Sequence, residues 1–208
     1  MKKLLTLLIC LMSLTTWAQT PTAEFDGHKW EAPYELSIPK AWTIERFLIP
    51  IVFAREIPYT GVEDIRFAPG WADATSEQYW TYAFLWYLDG AASTNVSTLE
   101  KQLQAYYTGL LKINTDSVKL STLNLPPAKV VFQEITSAEG DLQTFSGTID
   151  MIDYMQLKPL KLHCLVHLKS CPGEKKTFIF YQLSPKSLAH GNWHTLKELW
   201  TSFKCKKK

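Results

Sequence analysis

Four carboxylates surround the aromatic centre of this sequence and have side chains suited to acid/base chemistry: Glu63, Asp64, Asp73 and Asp89. Two carboxyl groups that converge on one site can act as a general acid and a general base. Glu63 and Asp64 cannot pair in this way, because neighbouring side chains of a strand point to opposite faces. A hydrolytic site using Asp64 or Asp73 is therefore one hypothesis. It requires two converging carboxyl groups, at least one of them with a raised pKa.

Arg66 follows Asp64 by two positions and shares its strand face, with about 6–7 Å between the Cα atoms. We interpret the two residues as a solvated ion pair, which contributes at most about 1 kcal/mol to stability. The alternative is that Arg66 binds an anionic group of a ligand.

His163 and His167 have a spacing that would suit a metal site on a helix. The surrounding residues alternate in character, however, with Cys164 and Val166 facing the core and the two histidines facing solvent with Lys169. On a strand, residues four apart are separated by about 13 Å, whereas zinc holds each nitrogen near 2 Å. The sequence therefore predicts no metal site.

Cys164, Cys171 and Cys205 lie outside the N-terminal leader described below. Seven residues of strand would separate Cys164 and Cys171 by about 23 Å, and a disulfide needs Cα atoms within about 7 Å. Cys171 at a turn and Cys205 at a helix end can form a bridge if that helix crosses the sheet, with Cys164 as a buried free thiol. The alternative is that no bridge forms.

Sequence motifs of catalysis are absent: there is no G-x-S-x-G, H-E-x-x-H, P-loop or G-x-G-x-x-G. No catalytic residue and no cofactor is predicted. Without Lys2 and Lys3 of the leader, the count of lysine and arginine falls from 22 to 20 and equals the 20 aspartates and glutamates. Because a nucleic-acid-binding surface requires a basic face, no nucleic-acid partner is expected.

The segment from Gln78 to Leu88 reads QYWTYAFLWYL and is the densest aromatic run in the chain. Aromatic enrichment and two apolar faces favour a central strand. A helix is the alternative, since Thr75 and Gln78 have the spacing of a capping box and Gly90 could end it. Trp71, in the preceding loop, is the aromatic residue expected nearest the surface.

The remaining elements follow from periodicity. Apolar residues at helical spacing predict helices over about 98–113 and 193–204. Between them, alternating strands joined by short polar turns predict an antiparallel meander. Residues 19–208 are thus expected to form one α+β domain with a largely antiparallel sheet.

The first eighteen residues have the features of a secretory signal peptide. Lys2 and Lys3 give a positive start, residues 4–14 are mostly apolar, and Ala18 ends an acceptable cleavage site. Cys10 is preceded by isoleucine rather than a small residue, so lipidation is not expected. No later run is long and uncharged enough to span a bilayer. A periplasmic or secreted location is predicted.

Three runs, WEAPYELSIPKAWTIERF, GVEDIRFAPGW and YWTYAFLWYLDG, resemble small exported proteins of Bacteroidetes-type bacteria, a resemblance that implies no activity. The L-x-x-P-x-x-W strand entry from Leu36 to Trp42, the meander and the closing L-W-x-S-F-K helix are similar to PsbP-like α-β-α domains. This second resemblance implies an α+β fold, and fold alone does not imply a mechanism.

These features favour an exported, non-enzymatic binding or interaction domain that uses its aromatic-rich segment. Arg66, Trp71 and Trp80 are the predicted ligand contacts, because rings with a polar group serve both glycan stacking and protein interfaces. The ligand class stays open among a small molecule, a glycan and a protein. The alternatives are a small periplasmic hydrolase with a carboxylate-based site and an accessory subunit of an envelope complex.

Overall fold

The computed structural model describes residues 25–116, 120 and 125–206. The predicted signal peptide lies outside these residues, as do the last two lysines of the basic tail. The helices are α1 (Val96–Asn114) and α2 (Asn192–Thr201). The strands are β1 (Tyr34–Glu35), β2 (Thr43–Ile49), β3 (Gly61–Phe67), β4 (Tyr82–Asp89), β5 (Lys129–Ile135), β6 (Gln143–Asp153), β7 (Lys158–Ser170), β8 (Lys176–Ser184) and β9 (Lys204–Cys205).

Seven strands form one antiparallel sheet in the order β2-β3-β4-β8-β7-β6-β5. Two meanders, β2 to β4 and β5 to β8, join where β4 pairs with β8. A second sheet consists of β1 and β9. The predicted α+β class, with its largely antiparallel sheet and C-terminal meander, is confirmed.

Helices cover both faces of the large sheet. Leu99, Leu103 and Tyr106 of α1 pack with Phe84 and Trp86 of β4 in one core. The other core contains the intervening β4 residues together with Leu196 and Trp200 of α2. Central strands β4 and β8 are therefore apolar on both faces, as their sequences indicate.

The aromatic run is a strand, but it begins at Tyr82 and not at Gln78. Tyr79 and Trp80 belong to a turn, and the peptide of Trp80 closes a loop by donating to the Trp71 carbonyl at 2.9 Å. The helix predicted over 193–204 ends at Thr201, because the chain then turns so that Lys204 and Cys205 can pair with β1.

Cys171 and Cys205 form the predicted disulfide, with Cα atoms 5.7 Å apart. Cys171 lies in the turn between β7 and β8, so the bridge ties β9 to the large sheet. Cys164 is a buried free thiol, also as predicted.

Replacing both bridge cysteines by serine should lower the free energy of unfolding by about 3 kcal/mol, since the bridge closes a loop of 34 residues in the unfolded chain. Urea unfolding of the wild type and the double variant would measure the loss. Reductant should destabilise the wild type by a similar amount and leave the variant unchanged. Equal stability of the oxidised wild type and the variant would contradict the prediction.

No helix among the described residues is long and apolar enough to cross a membrane.

Candidate functional site

An aromatic cleft of about 330 Å³ opens on the α1 face of the sheet, between the β2–β3 edge and the C-terminal end of α1. We refer to it as the aromatic cleft. Apolar side chains from α1 and β3 complete its walls, and Glu45 and Asn114 also line it. Its rings are Phe47, Phe53, Phe67, Trp71, Trp80, Tyr82, Tyr106 and Tyr154.

The loop between β3 and β4 supplies two indoles that stand at right angles. Trp71 stacks on Phe67 with ring centroids 4.3 Å apart. Trp80 meets Trp71 edge-on at 6.3 Å and an interplanar angle of 88°. On its other side, Trp80 contacts Tyr154 at 5.2 Å. Ring-to-ring contacts therefore hold this corner of the cleft in one arrangement.

Trp80 adopts a backbone conformation that is unfavourable for a bulky residue. Its φ is +53°, in the left-handed region, which costs about 1–2 kcal/mol for a residue with a Cβ. The side chain is nevertheless buried, with only 1% of its surface exposed. Packing of the indole offsets the strain, and strain of this kind is concentrated at binding and catalytic sites.

Close approach of two backbones positions Phe53 on the opposite wall. Gly109 of α1 lies against the Phe53 carbonyl, and a Cβ at this position would overlap the carbonyl oxygen. The Phe53 ring then packs edge-on against Tyr106 at 5.1 Å. Glycine is therefore required at this point of α1, because a side chain would prevent the loop that carries Phe53 from packing against the helix.

Hydrogen bonds already engage most of the polar ring atoms around the cleft. The Tyr106 hydroxyl donates to Glu63 at 2.8 Å, and the Tyr82 hydroxyl bonds that of Tyr107. Tyr79, just behind Trp80, donates to Asp153. The indole N–H of Trp80 lies near the Tyr79 hydroxyl without forming a well-aligned hydrogen bond.

Carboxyl groups lie in and around the cleft. Burial, followed by the charges of Asp153 and Glu45, raises the pKa of Tyr154 to about 12. Beneath Tyr106, burial raises the pKa of Glu63 to about 8, against a smaller opposing effect of the Tyr106 hydrogen bond.

The predicted contacts Trp71 and Trp80 come together in the aromatic cleft, but Arg66 does not join them. Arg66 points to the other face of β3 and is 2% exposed. Its guanidinium donates to the Ser37 and Leu36 carbonyls, and Nη1 lies 2.8 Å from Asp64 Oδ1. Arg66 therefore secures the segment that precedes β2.

The interpretation of Asp64 and Arg66 as a solvated pair is wrong, because both side chains are buried. Asp64 is fully enclosed and also accepts from Tyr34 at 2.7 Å and from Arg46 at 3.1 Å. The residues before β2 pack over this face of β3. The polar face of the strand is therefore covered by protein rather than by water.

The carboxylates of the hydrolytic hypothesis do not share a cleft. Asp64 is enclosed by its two arginines and Tyr34. Asp73 is exposed in the loop before β4, where hydrogen bonds from the Thr75 amide and hydroxyl lower its pKa. Neither residue has the converging carboxyl partner that the hypothesis requires, and the pKa of Asp73 is lowered rather than raised.

A buried polar cluster under α2 was not predicted from the sequence. His167 Nδ1 lies 2.7 Å from Asp141 Oδ2, and His167 Nε2 lies 3.2 Å from Gln182 Oε1. The Trp200 indole donates to Asp141 at 2.9 Å and stacks on the His167 ring. A cavity of about 710 Å³ adjoins the cluster. The prediction that His167 faces solvent is wrong, since α2 covers it; Leu165 on the same strand face was the one signal of a cover.

Hydrogen bonds engage both ring nitrogens of His167 in this cluster. The amide of Gln182 is oriented by its donation to the Leu196 carbonyl, so its oxygen faces His167. Both ring nitrogens of His167 therefore lie within hydrogen-bond distance of side-chain oxygens, those of Asp141 and Gln182. The cluster holds the β5–β6 turn to α2.

Within the described residues, no three histidine, cysteine, aspartate or glutamate side chains are grouped so as to hold a metal ion. Comparisons with protein-family models, with curated proteins and with solved structures gave no match to the chain.

Proposed function

We propose that this chain is an exported, non-enzymatic binding domain whose aromatic cleft takes a small molecule with an apolar or aromatic group. The observation that carries the proposal is the corner formed by Trp71 and Trp80, whose rings stand at 88° and line a concave site of about 330 Å³. Concave, mostly apolar sites with few polar groups are typical of small-molecule binding.

The volume favours a ligand of one or two rings, since it lies at the lower end of the range for small-molecule sites. A glycan would need several free donors and acceptors for its hydroxyl groups. The Tyr82 and Tyr106 hydroxyls are already bonded to Tyr107 and Glu63. A folded protein partner typically covers about 800 Å² of surface, an area for which a cleft of about 330 Å³ does not by itself provide.

Export is supported by the sequence of the leader and by the disulfide between Cys171 and Cys205. Structural disulfides form and persist in oxidising compartments. A periplasmic or secreted location is accordingly part of the proposal.

Replacing Trp71 by alanine should weaken binding of an apolar probe about tenfold, because Trp71 is half-buried and forms one side of the corner. The probe is N-phenyl-1-naphthylamine, a neutral compound with a phenyl and a naphthyl group whose fluorescence rises in apolar surroundings. We expect saturable binding to the wild type and a weaker titration with Trp71→Ala.

Trp30→Ala is the matched control, since Trp30 is also half-buried but packs with Tyr34 on the other side of the sheet. It should leave probe binding within about twofold of the wild type. Circular dichroism would verify that both variants are folded. An absence of saturable binding to the wild type, or equal effects of the two substitutions, would overturn the proposal.

A further inference from the structure

We infer that the ligand of the aromatic cleft carries a positive charge, as an organic ammonium group attached to its apolar part. This inference rests on the proposed function and specifies the ligand class of the same site. It is drawn from the charges and the rings that border the cleft.

Charge at the cleft has a single sign. Glu45 is the charged side chain that lines it, and none of the described lining residues is a lysine, arginine or histidine. Strand alternation causes this separation, because Arg46 and Arg66 point to the opposite face of β2 and β3, where both contact Asp64. An anionic ligand would therefore find no compensating cation among the described lining residues.

A second carboxylate lies behind the ring wall. Asp153 accepts from Tyr79 and from the Met155 amide, and it is buried. The potential of Asp153 and Glu45 reaches the cleft itself, since both raise the pKa of the lining residue Tyr154 after the larger effect of burial. Surroundings of low dielectric constant strengthen such an interaction relative to water.

The rings provide the second half of an ammonium site. Trp71 and Tyr154 are half-buried and lie on either side of the buried Trp80 ring, which meets them at 88° and 74°. The negative face of an aromatic ring attracts a cation within about 6 Å of its centroid, and tryptophan does so most strongly. Pockets that recognise quaternary ammonium groups combine several such rings.

Glu45 can act as the counter-charge for a ligand ammonium while leaving the cleft open. It is exposed on β2, an edge strand of the sheet, next to Phe47 on the same strand face, and no ion pair involving it is found among the described residues. A ligand ammonium would therefore gain a counter-charge that the protein itself does not neutralise. This is the charge complementarity that identifies the occupant.

The test compares two probes of nearly the same shape, benzyltrimethylammonium and the neutral neopentylbenzene, by displacement of N-phenyl-1-naphthylamine. Despite its stronger hydration, the ammonium should bind at least as tightly as its neutral counterpart. Glu45→Gln should weaken the ammonium about fivefold and change binding of the neutral compound less than twofold. Glu134→Gln, an exposed glutamate on the far edge strand, is the matched control and should change neither.

The outcomes separate this inference from the proposed function. If neopentylbenzene displaces the fluorophore and benzyltrimethylammonium does not, the cleft binds apolar groups and the ammonium assignment is wrong. An equal response of both probes to Glu45→Gln would also overturn the assignment. If the fluorophore binds but benzyltrimethylammonium does not displace it, the ammonium assignment is likewise wrong. If the fluorophore itself does not bind, the proposed function fails.

Discussion

Asp64→Asn should lower the free energy of unfolding by about 3–5 kcal/mol, because it leaves two partly or fully buried guanidinium groups without their counter-charge. Asp64 Oδ1 lies 2.8 Å from Arg66 Nη1 and 3.1 Å from Arg46 Nε. Its Oδ2 accepts from Tyr34. The asparagine has nearly the same shape, so the loss would report charge and hydrogen bonding rather than packing.

Urea unfolding at neutral pH would measure this loss, with Asp150→Asn as the matched control. Asp150 also lies on the large sheet and pairs with Lys161, but both side chains are about half exposed. Its substitution should cost no more than about 0.5 kcal/mol. If the two variants lose equal stability, the buried network does not hold the sheet as described.

Asp64 also illustrates why the local sequence pattern was insufficient to predict which strand faces are buried. A strand that alternates Ile65 and Phe67 with Asp64 and Arg66 has the pattern of a sheet with one wet face. Residues 26–37 cover that face. The Arg66 side chain connects them to β3 by donating to the carbonyls of Leu36 and Ser37. Such cover depends on contacts distant in sequence, which periodicity does not report.

The same limit applies to β7. Its alternation predicted the core face with Cys164 and Val166 correctly, since α1 and the sheet enclose that side. The other face holds His167 beneath α2. Only the docking of α2 decides whether a histidine at this position is solvated or enclosed, and the sequence contains no local signal for that docking beyond Leu165.

The predictions that succeeded depend on short-range physics. Helical spacing located α1 to within two residues at its N-terminal end and one at its C-terminal end. Strand length excluded a bridge from Cys164 to Cys171, and the positions of Cys171 in a turn and Cys205 at a helix end allowed the bridge that the structure contains. The aromatic content of the central run was evident, but the cleft was not, because concavity arises from the turn that brings Trp80 back to Trp71.

Glu63 is responsible for the second large expected effect: the free energy of unfolding of the protein should decrease as the pH rises. Burial raises its pKa from 4.5 to about 8 in the folded protein. Below the lower value, Glu63 is protonated in both states, and its contribution to stability is complete. Between the two values only the unfolded chain releases the proton, so stability is lost at about 1.4 kcal/mol per pH unit until the folded protein also ionises.

We therefore expect Glu63→Gln to remove about 4 kcal/mol of the stability difference between about pH 5 and about pH 8. Glutamine is uncharged at both values, and its amide oxygen can still accept from Tyr106. Urea unfolding of both proteins at each pH gives the double difference, in which other titrating groups cancel. Glu198→Gln, an exposed site on α2, should leave the pH dependence unchanged. Parallel curves for the wild type and Glu63→Gln would show that Glu63 keeps an ordinary pKa in the folded protein, and the buried carboxyl beneath the cleft would then have to be hydrated or paired.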